Sequence, residues 1–248
     1  MTSSPHSISQ PPQPTPAPLR WVALDAVGTV IYPDPPVRQV YYQSAKRHGS
    51  QFTEAEIEQR FRTSYVRLEA ESSNGYQTNE VLEEERWRAV VSEVLSDVPN
   101  PAECFRELFD WFASPNAWRV YADVAPALAL LAQLGVSTVV ASNFDRRLHP
   151  VLDGLPELAA IPQRVVSSEV GYRKPASEFF AALQAQTNSP ADQIAMVGDS
   201  HVNDVEGARR AGLRAIWIDR GRPASDGHVQ TLAEAVDRLF GSRRIPIE

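Results

Sequence analysis

Apolar residues follow two different spacings along the chain, and each spacing predicts a different kind of element. Between residues 36 and 113 they recur every three or four positions, the period of a helix with one buried face. The four resulting stripes predict four helices, and we assign them to the core of a helical unit rather than to a binding site. They are Val37, Val40 and Tyr41; Ile57, Phe61 and Tyr65; Trp87, Val90, Val91 and Val94; and Phe105, Leu108, Phe109 and Phe112.

Short apolar runs that alternate with helical patterns occupy the rest of the chain. Such runs are typical of buried strands in a parallel sheet with helices on both faces. Gly135 and Gly212 each follow a helical pattern and precede a run, as a glycine that ends a helix does. The runs predict an α/β fold with a five-stranded parallel sheet. They are WVAL (21–24), VSTVVAS (136–142), RVVSS (164–168), IAMVGDS (194–200) and AIWID (215–219).

The first predicted strand is separated from its sheet partners by the helical segment. The chain is therefore expected to form two lobes with a cleft between them. We place the sheet-containing core at residues 19–33 and 115–248 and the inserted helical cap at residues 34–114. Residues 1–18 are rich in Pro, Ser and Gln and carry no apolar run, which predicts a disordered tail and neither a signal peptide nor an anchor.

Composition and charge narrow the possible functions. Hydrophobic residues make up 43% of the 248 residues and charged residues 22%, as in ordinary globular proteins. The net charge of −7 disfavours binding to nucleic acid or to an acidic membrane surface. The single cysteine, Cys104, is predicted to be a buried thiol in a reducing compartment. We expect a cytoplasmic protein that acts on a small molecule, and the oligomeric state stays open.

Residues that can carry chemistry follow the predicted strands. Because the carboxyl ends of parallel strands meet at one edge of a sheet, we expect these residues to lie close together. Their three carboxylates and one ammonium group would carry a net charge of −2, which a divalent cation would cancel. They are Asp25, Ser142, Asn143, Lys174, Asp199 and Asp204.

Each of these residues also has an ordinary structural interpretation. Asp25 is a common turn residue ahead of Gly28, and Ser142 and Asn143 are common helix caps. Lys174 is of a type that is usually solvated, and the run GDSHVND is compatible with a turn and a helix cap. The occurrence of all of them in order, on strands separated by helices, favours one shared site.

The motifs LDAVGT, VVASNFD, GYRKP and VGDSHVND resemble, in this order, the four motifs of the haloacid dehalogenase (HAD) superfamily of hydrolases. The resemblance covers residues 20 to about 220 and is to members with a helical cap inserted after the first motif. It implies a Rossmann-like core. Within the superfamily the chain looks most like a subgroup that lacks the second Asp of the first motif and continues into SNFD, whose substrates are poorly defined.

The resemblance implies a catalytic role for Asp25, Ser142 and Lys174, and a substrate-binding role for Ser142, Asn143 and Lys174. Asp25 is the expected nucleophile, which attacks phosphorus or carbon and forms an aspartyl intermediate. Ser142 and Asn143 are expected to bind the substrate, with the Ser142 hydroxyl bonded to the transferring group. Lys174 is expected to neutralise charge on the nucleophile and on the phosphoryl oxygens.

The resemblance also implies a Mg²⁺ site made of Asp25, Asp199, Asp204 and the main-chain carbonyl of Val27. Mg²⁺ prefers hard oxygen ligands, which suits this set. A carboxylate attacks a dianionic phosphate only when their repulsion is removed, and Mg²⁺ and Lys174 together can do so.

Val27 is the departure from the family pattern. HAD phosphatases place a second Asp there, two positions after the nucleophile, where it protonates the leaving alkoxide and later activates water. A valine transfers no proton, and general acid–base help is typically worth about 10²- to 10⁴-fold. We expect a Mg²⁺-dependent phosphatase of reduced or specialised activity on phosphoesters or acyl phosphates with good leaving groups. His201 is the first candidate for a substitute acid.

Three other functions stay open. A 2-haloacid dehalogenase is compatible with DAVGT because halide leaves without a proton, but dehalogenases use no metal and have a Ser-type fourth motif where this chain has Asp199. A non-catalytic binding module would keep the site as a scaffold. Phosphonate hydrolysis also dispenses with the second Asp, but it would need a Schiff-base lysine in the cap, where Lys46 is the only lysine.

The sequence does not identify the substrate. Specificity in capped enzymes comes from cap residues that face the cleft. The spacing leaves open which of five candidates do so: Tyr32, Arg38, Tyr41, Arg67 and Tyr76.

Overall fold

The computed structural model describes residues 17–70 and 74–241, and its centre is a five-stranded parallel sheet. The strands are β1 (Trp21–Leu24), β4 (Ser137–Ser142), β5 (Gln163–Val166), β6 (Ile194–Gly198) and β7 (Arg214–Trp217). Their order is β5-β4-β1-β6-β7, and every neighbouring pair is parallel. The predicted α/β fold is confirmed, with β1 at the centre of the sheet.

Helices cover both faces of this sheet. They are α5 (Val124–Gln133), α6 (Leu148–Asp153), α7 (Ser167–Val170), α8 (Ser177–Thr187), α9 (Gly207–Arg210) and α10 (Leu232–Phe240). Leu24 of β1 belongs to the cluster that contains Leu128 of α5 and Leu232 of α10. Ala23, the neighbour of Leu24, belongs to the cluster on the opposite face, with Phe179 of α8. Burial on both faces explains why β1 and β6, the two strands WVAL and IAMVG, are apolar throughout.

Four helices lie between β1 and the rest of the sheet strands, as the apolar stripes predict. They are α1 (Val37–Arg47), α2 (Glu54–Ala70), α3 (Glu80–Val94) and α4 (Pro101–Trp111). The Asn79 side chain accepts the Leu82 amide at 3.0 Å and so caps α3, and Pro101 occupies the first turn of α4, where its missing N–H costs nothing. Cys104 of α4 is a buried free thiol, as expected. These helices pack around an apolar core of their own.

An antiparallel ribbon that the sequence patterns did not predict joins the helical segment to the sheet. Its strands are β2 (Ile31–Pro33) and β3 (Trp118–Val120). The chain enters the helical segment through β2 and leaves it through β3. Pairing of these two connections places the helices over the carboxyl edge of the sheet.

Four of the five predicted strands have different bounds in the structure. β4 begins one residue after the run 136–142 does, and β6 ends at Gly198, two residues before the end of the run 194–200. The strand expected over 164–168 ends at Val166, because the Ser167 hydroxyl donates to the Phe144 carbonyl at 3.1 Å and the chain turns there into α7. The strand expected over 215–219 is β7, which begins at Arg214 and ends at Trp217.

The helical pattern NDVEGARRA, residues 203–211, predicts a regular helix, but the structure has a π-helical turn over His201–Glu206 that becomes α-helical only in α9. The Asp204 carboxylate accepts the Ser200 amide at 2.9 Å, and the Ser200 hydroxyl accepts the Asn203 amide at 3.2 Å. These bonds stabilise the wider turn. Such turns occur frequently at functional sites.

Two further expectations concern the ends of the chain and membranes. The disordered tail predicted over residues 1–18 lies, up to residue 16, outside the described residues. Among the helices of the described part, none combines the length and the apolar character that a membrane span requires.

Candidate active site

All of the predicted site residues come together at the carboxyl edge of the sheet. Asp25 follows β1, and its amide donates to the Val197 carbonyl of neighbouring β6 at 2.9 Å. Ser142 ends β4 on the other side of β1. Asp199 follows β6. The central position of β1 therefore brings the three strand ends together, as the parallel order requires.

Lys174 holds two of the carboxylates. Its Nζ lies 2.8 Å from Asp25 Oδ1, 2.6 Å from Asp204 Oδ1 and 2.7 Å from the Ala141 carbonyl oxygen. These three contacts use all three N–H donors of the Lys174 ammonium group. The side chain is 2% exposed. Burial by itself lowers the pKa of Lys174, but the charges of Asp204 and Asp25 outweigh it and raise the pKa well above its usual range. The lysine is therefore a permanent cation.

The Asp25 carboxylate is oriented through one of its two oxygens. Oδ1 accepts both the Ser142 hydroxyl, at 3.1 Å, and the Lys174 ammonium. Oδ2 accepts no hydrogen bond within the described part of the chain. One oxygen is thus fixed, and the other is available to a reacting group.

Three carboxylates form a cluster in which oxygens of Asp25, Asp199 and Asp204 lie within 4.8 Å of one another. Asp199 is solvent accessible, yet it sits among protein atoms at the base of the cleft. This partial burial, followed by the charges of Asp25 and Asp204, raises the pKa of Asp199 to about 8. Burial also raises the pKa of Asp204, against the lowering effect of Lys174. The cluster therefore carries more negative charge than Lys174 compensates.

Two glycines make this crowding possible. Gly28 has a φ of +83°, and a Cβ there would overlap the Asp199 carboxylate. A Cβ on Gly198 would overlap the carboxylate of Asp204. Only glycine permits these approaches, so the Gly residues of LDAVGT and VGDS have a physical role in the site.

Asn143 positions the lysine loop. Its Nδ2 donates to the Lys174 carbonyl at 3.0 Å, and its Oδ1 accepts the Lys174 amide at 2.8 Å. The side-chain amide is therefore engaged with the main chain of Lys174. Asn143 also lines the cleft, and its role in substrate binding stays a prediction.

Val27 lies at the rim of the cluster and places an apolar side chain where a second Asp would otherwise stand. It lines the same cleft as Asp25. Its carbonyl oxygen accepts no hydrogen bond from the described residues, because the neighbouring amides donate instead to Ala26 and Ile31. This oxygen is available to a cation.

A cavity of about 350 Å³ lies between the carboxyl edge of the sheet and helices α1–α4. The carboxylates, Ser142 and Lys174 form its polar end. Its other walls are predominantly aromatic. The aromatic residues are Tyr41, Phe61, Tyr65, Trp87, Phe105, Phe109, Phe112, Trp118 and Phe144.

The sequence analysis was wrong in treating the helical stripes only as core. Phe61, Trp87 and Phe109 belong to those stripes, and they line the cavity. Periodicity shows which face of a helix is buried, but it does not distinguish burial against another helix from burial around a ligand.

Of the five proposed specificity residues, only Tyr41 lines the cavity. Tyr32 packs on Tyr121, with ring centroids 4.7 Å apart. Arg38 pairs with Glu54 and Glu58, and Arg67 pairs with Glu93. Tyr76 accepts the Arg173 amide through its carbonyl at 2.9 Å and thereby ties the cap to the loop that carries Lys174.

Two further residues bear on the cavity. Arg147 lines it and was missed; the only available signal was its place in SNFDRR, five residues after Ser142 at the end of a strand. His201, the candidate substitute acid, is absent from the lining. It pairs with Glu206 at 3.3 Å and packs on Trp217. His201 is therefore unsuited to protonate a leaving group in this cavity.

Comparisons with known proteins agree with this architecture. A model of the haloacid dehalogenase-like hydrolase family matches residues 19–212. The chain is similar to haloacid dehalogenase-like hydrolase domain-containing protein 3 of Mus musculus, with 30% identity over 212 residues, which cover 83% of this chain and 84% of that protein. The protein of the same name from Danio rerio is 28% identical over 208 residues, 82% of this chain and 86% of that protein.

Solved structures share the fold at low identity. An HAD phosphatase from Thermococcus onnurineus superposes with a TM-score of 0.65 at 22% identity, covering 91% of this chain and 100% of that chain. The L-2-haloacid dehalogenase of Xanthobacter autotrophicus, solved with chloropropionic acid covalently bound, superposes with a TM-score of 0.69 at 15% identity. The match covers 91% of this chain and 99% of that chain. Phosphoserine phosphatase of Thermus thermophilus is 30% identical over 141 residues, 55% of this chain and 56% of that protein. The family match over most of the chain establishes that this protein is a hydrolase of the haloacid dehalogenase-like family.

Proposed function

We propose that the protein is a Mg²⁺-dependent phosphatase that hydrolyses a small phosphorylated metabolite through an aspartyl-phosphate intermediate. The observation that carries the proposal is the buried Lys174 ammonium, which bridges Asp25 and Asp204 beside an intact Asp199. Phosphoryl transfer to a carboxylate needs positive charge beside the reacting groups, because nucleophile and substrate are both anions; Lys174 would supply part of it and a bound divalent cation the rest.

The donor set suits a hard divalent cation. Asp25, Asp199 and Asp204 would hold Mg²⁺ together with the Val27 carbonyl, since oxygens of the three carboxylates lie within 4.8 Å of one another. Burial, followed by the charges of Asp25 and Asp204, raises the pKa of Asp199, and a bound cation would relieve the repulsion between these carboxylates. When bound, Mg²⁺ supplies positive charge to the phosphoryl oxygens. Gly28 and Gly198 leave the room that the close carboxylates need.

The chain's own residues define the reaction. Asp25 Oδ2 is the attacking atom, because Oδ1 is held by Ser142 and Lys174. A phosphorus–oxygen bond forms to Asp25 as the bond to the leaving group breaks, and water then releases phosphate and restores the carboxylate. Val27 donates no proton to the leaving group, so good leaving groups are favoured. Cys104, a single buried thiol, supports a reducing cytoplasmic setting.

A 2-haloacid dehalogenase is the second candidate, and two observations favour it. Val27 provides no acid, and the cavity is largely apolar. The position of Asp199 argues against a dehalogenase. That reaction uses no metal, so the negative charge that Asp199 adds beside the nucleophile would not be compensated.

A screen with one preparation separates these functions. Turnover of phosphoesters, acyl phosphates and 2-haloacids is measured with Mg²⁺ and with a chelator, using Asp25→Asn as the control for contaminating activity. We expect release of phosphate that depends on both Mg²⁺ and Asp25. Metal-independent release of halide would establish the dehalogenase instead, and an absence of turnover in all assays would favour a binding module.

A further inference from the structure

The residues that line the cavity away from the carboxylates indicate which class of ligand it can bind. Helices α2, α3 and α4 contribute Phe61, Tyr65, Trp87 and Phe109, and the β4 loop contributes Phe144. Outside the carboxylate cluster and Lys174, the only charged side chain among the described lining residues is Arg147. Aromatic walls bind flat apolar groups through burial and ring contacts.

Arg147 does not make the cavity a site for an anion. Its Nε and one terminal nitrogen donate to the two oxygens of Asp145 at 2.8 and 2.7 Å, and the other terminal nitrogen donates to the Phe109 carbonyl at 3.1 Å. Asp145 is buried, so the pair is neutral and shielded from water. The guanidinium plane packs on the Phe109 ring at 3.5 Å. An anion bound at the two remaining N–H groups of Arg147 would place a second negative charge beside buried Asp145, which disfavours it.

One polar group in the apolar part of the cavity is the hydroxyl of Tyr41. Tyr41 is 2% exposed and lines the cavity, and its hydroxyl makes no hydrogen bond with any residue in the described part of the chain. Burial raises its pKa, so the phenol keeps its proton and can donate it in a hydrogen bond. Because Tyr41 lines the cavity, this hydroxyl can donate to an acceptor on a bound ligand.

We infer that this cavity takes the leaving group of the substrate, and that this group is uncharged and aromatic, with at most one hydrogen-bond acceptor, which meets Tyr41. The inference depends on the proposed phosphatase function, since it assigns the polar end to the phosphoryl group. The volume of about 350 Å³ lies near the lower end of the ~300–1,000 Å³ of small-molecule pockets, so one phosphate and a small ring system fill it.

Val27 supports the inference on separate grounds. Without an acid at that position, the rate depends on how readily the leaving group departs as an anion, and phenols depart more readily than alkyl alcohols. The cavity walls thus favour binding of the kind of group that the reaction centre can release.

Binding of three phosphonates tests the inference without any turnover. Phosphonates lack the bond that is cleaved, and 3-phenylpropyl-, propyl- and 3-carboxypropylphosphonate share one linker. By titration calorimetry with excess Mg²⁺, we expect the phenylpropyl compound to bind at least tenfold more tightly than the propyl compound, and the carboxypropyl compound no more tightly than propyl. Equal binding of the first two, tighter binding of the carboxylate, or no binding by any would overturn the inference.

A pair of adjacent substitutions locates the effect. Tyr65 lines the cavity and is 41% exposed, so Tyr65→Ala should fold and should reduce the preference for phenylpropyl- over propylphosphonate about two- to tenfold. Val66 lies beside it on α2, is 61% exposed and is absent from the lining, and Val66→Ala should keep the full preference. Equal preferences in the two variants would contradict the assignment of this wall.

Turnover separates this inference from the proposed function. The rates of phenyl phosphate and acetyl phosphate hydrolysis are measured on the same preparation. If the phosphonate preference is found but neither phenyl phosphate nor acetyl phosphate is hydrolysed, the cavity assignment stands and the proposed phosphatase function is wrong. If acetyl phosphate is hydrolysed and the protein binds the three phosphonates without preference, the proposed phosphatase function stands and the inferred aromatic leaving group is wrong.

Discussion

Replacement of Lys174 by methionine tests the electrostatic balance of the site. Methionine has similar length and no charge, so the variant removes the ammonium group and keeps most of the packing. Lys174 is 2% exposed and lies 2.8 Å from Asp25 and 2.6 Å from Asp204. In the metal-free variant these two carboxylates lose their cation while they stay close to Asp199.

The expected loss of stability is large. Removing one partner of a buried ion pair typically costs about 3–5 kcal/mol. One ammonium serves two carboxylates here, but the carboxylates can take up protons once it is gone, which limits the cost to this range. For a protein of this size the Tm should then fall by about 6–20 °C. Excess Mg²⁺ should restore part of the loss, because a cation replaces the missing charge.

Urea denaturation of the metal-free protein at neutral pH provides the measurement. The chain has one other lysine, Lys46, which is exposed on α1, and Lys46→Met should change the unfolding free energy by less than about 0.5 kcal/mol. Adding Asp25→Asn and Asp204→Asn to Lys174→Met should recover most of the stability, because the neutral site has no unpaired charge. A loss under about 1 kcal/mol, or a triple variant no more stable than Lys174→Met, would refute the reasoning.

Three further predictions concern the carboxylates and the missing acid. Asp25→Asn should abolish phosphate release while far-UV circular dichroism stays unchanged, because an amide cannot form the phosphorylated intermediate; activity near the wild-type level would remove Asp25 from this role. Asp199→Asn should make the metal-free protein more stable at pH 8 and should abolish the rise in Tm with Mg²⁺. Burial and like charges raise the pKa of Asp199 to about 8 in the folded protein, whereas an aspartate in the unfolded chain has a pKa near ~4. The wild-type protein therefore loses stability as the pH rises from ~4 towards 8, and the variant does not. An equal Mg²⁺ shift in both proteins would exclude Asp199 as a ligand. Val27→Asp should accelerate hydrolysis of alkyl phosphates by up to about 10²-fold and leave aryl phosphates nearly unchanged, and uniform acceleration in steady-state assays would show that leaving-group protonation is not the missing step.

Much of the architecture follows from local patterns in the sequence. A strand that is apolar throughout, such as IAMVG of β6, is favourable only in a sheet covered on both faces, so these runs predicted the parallel sheet. The four stripes predicted α1–α4 for the same reason, because each helix has one face to bury. The strand order β5-β4-β1-β6-β7, which these local patterns do not predict, brings Asp25, Ser142 and Asp199 close together at that edge.

The tertiary structure alone decided how those residues act on one another. The distances that make Lys174 a bridge between Asp25 and Asp204 depend on a loop that Asn143 holds from a different strand, and no spacing along the chain encodes that contact. The bounds of the turn over His201–Glu206 likewise depend on the bond between Ser200 and Asp204. His201 stands near Asp199 in sequence but faces Glu206 and Trp217.

The cavity is the clearest case of what the sequence could not decide. Phe61, Trp87 and Phe109 have the same periodicity as the residues that fill the cap core, because a side chain is removed from water whether it faces a helix or an enclosed cleft. The charge of Arg147 is visible in the sequence, but its neutralisation by Asp145 requires the geometry of both side chains. Local pattern determines which surfaces are buried, and only the packing of the two lobes determines what each surface is buried against.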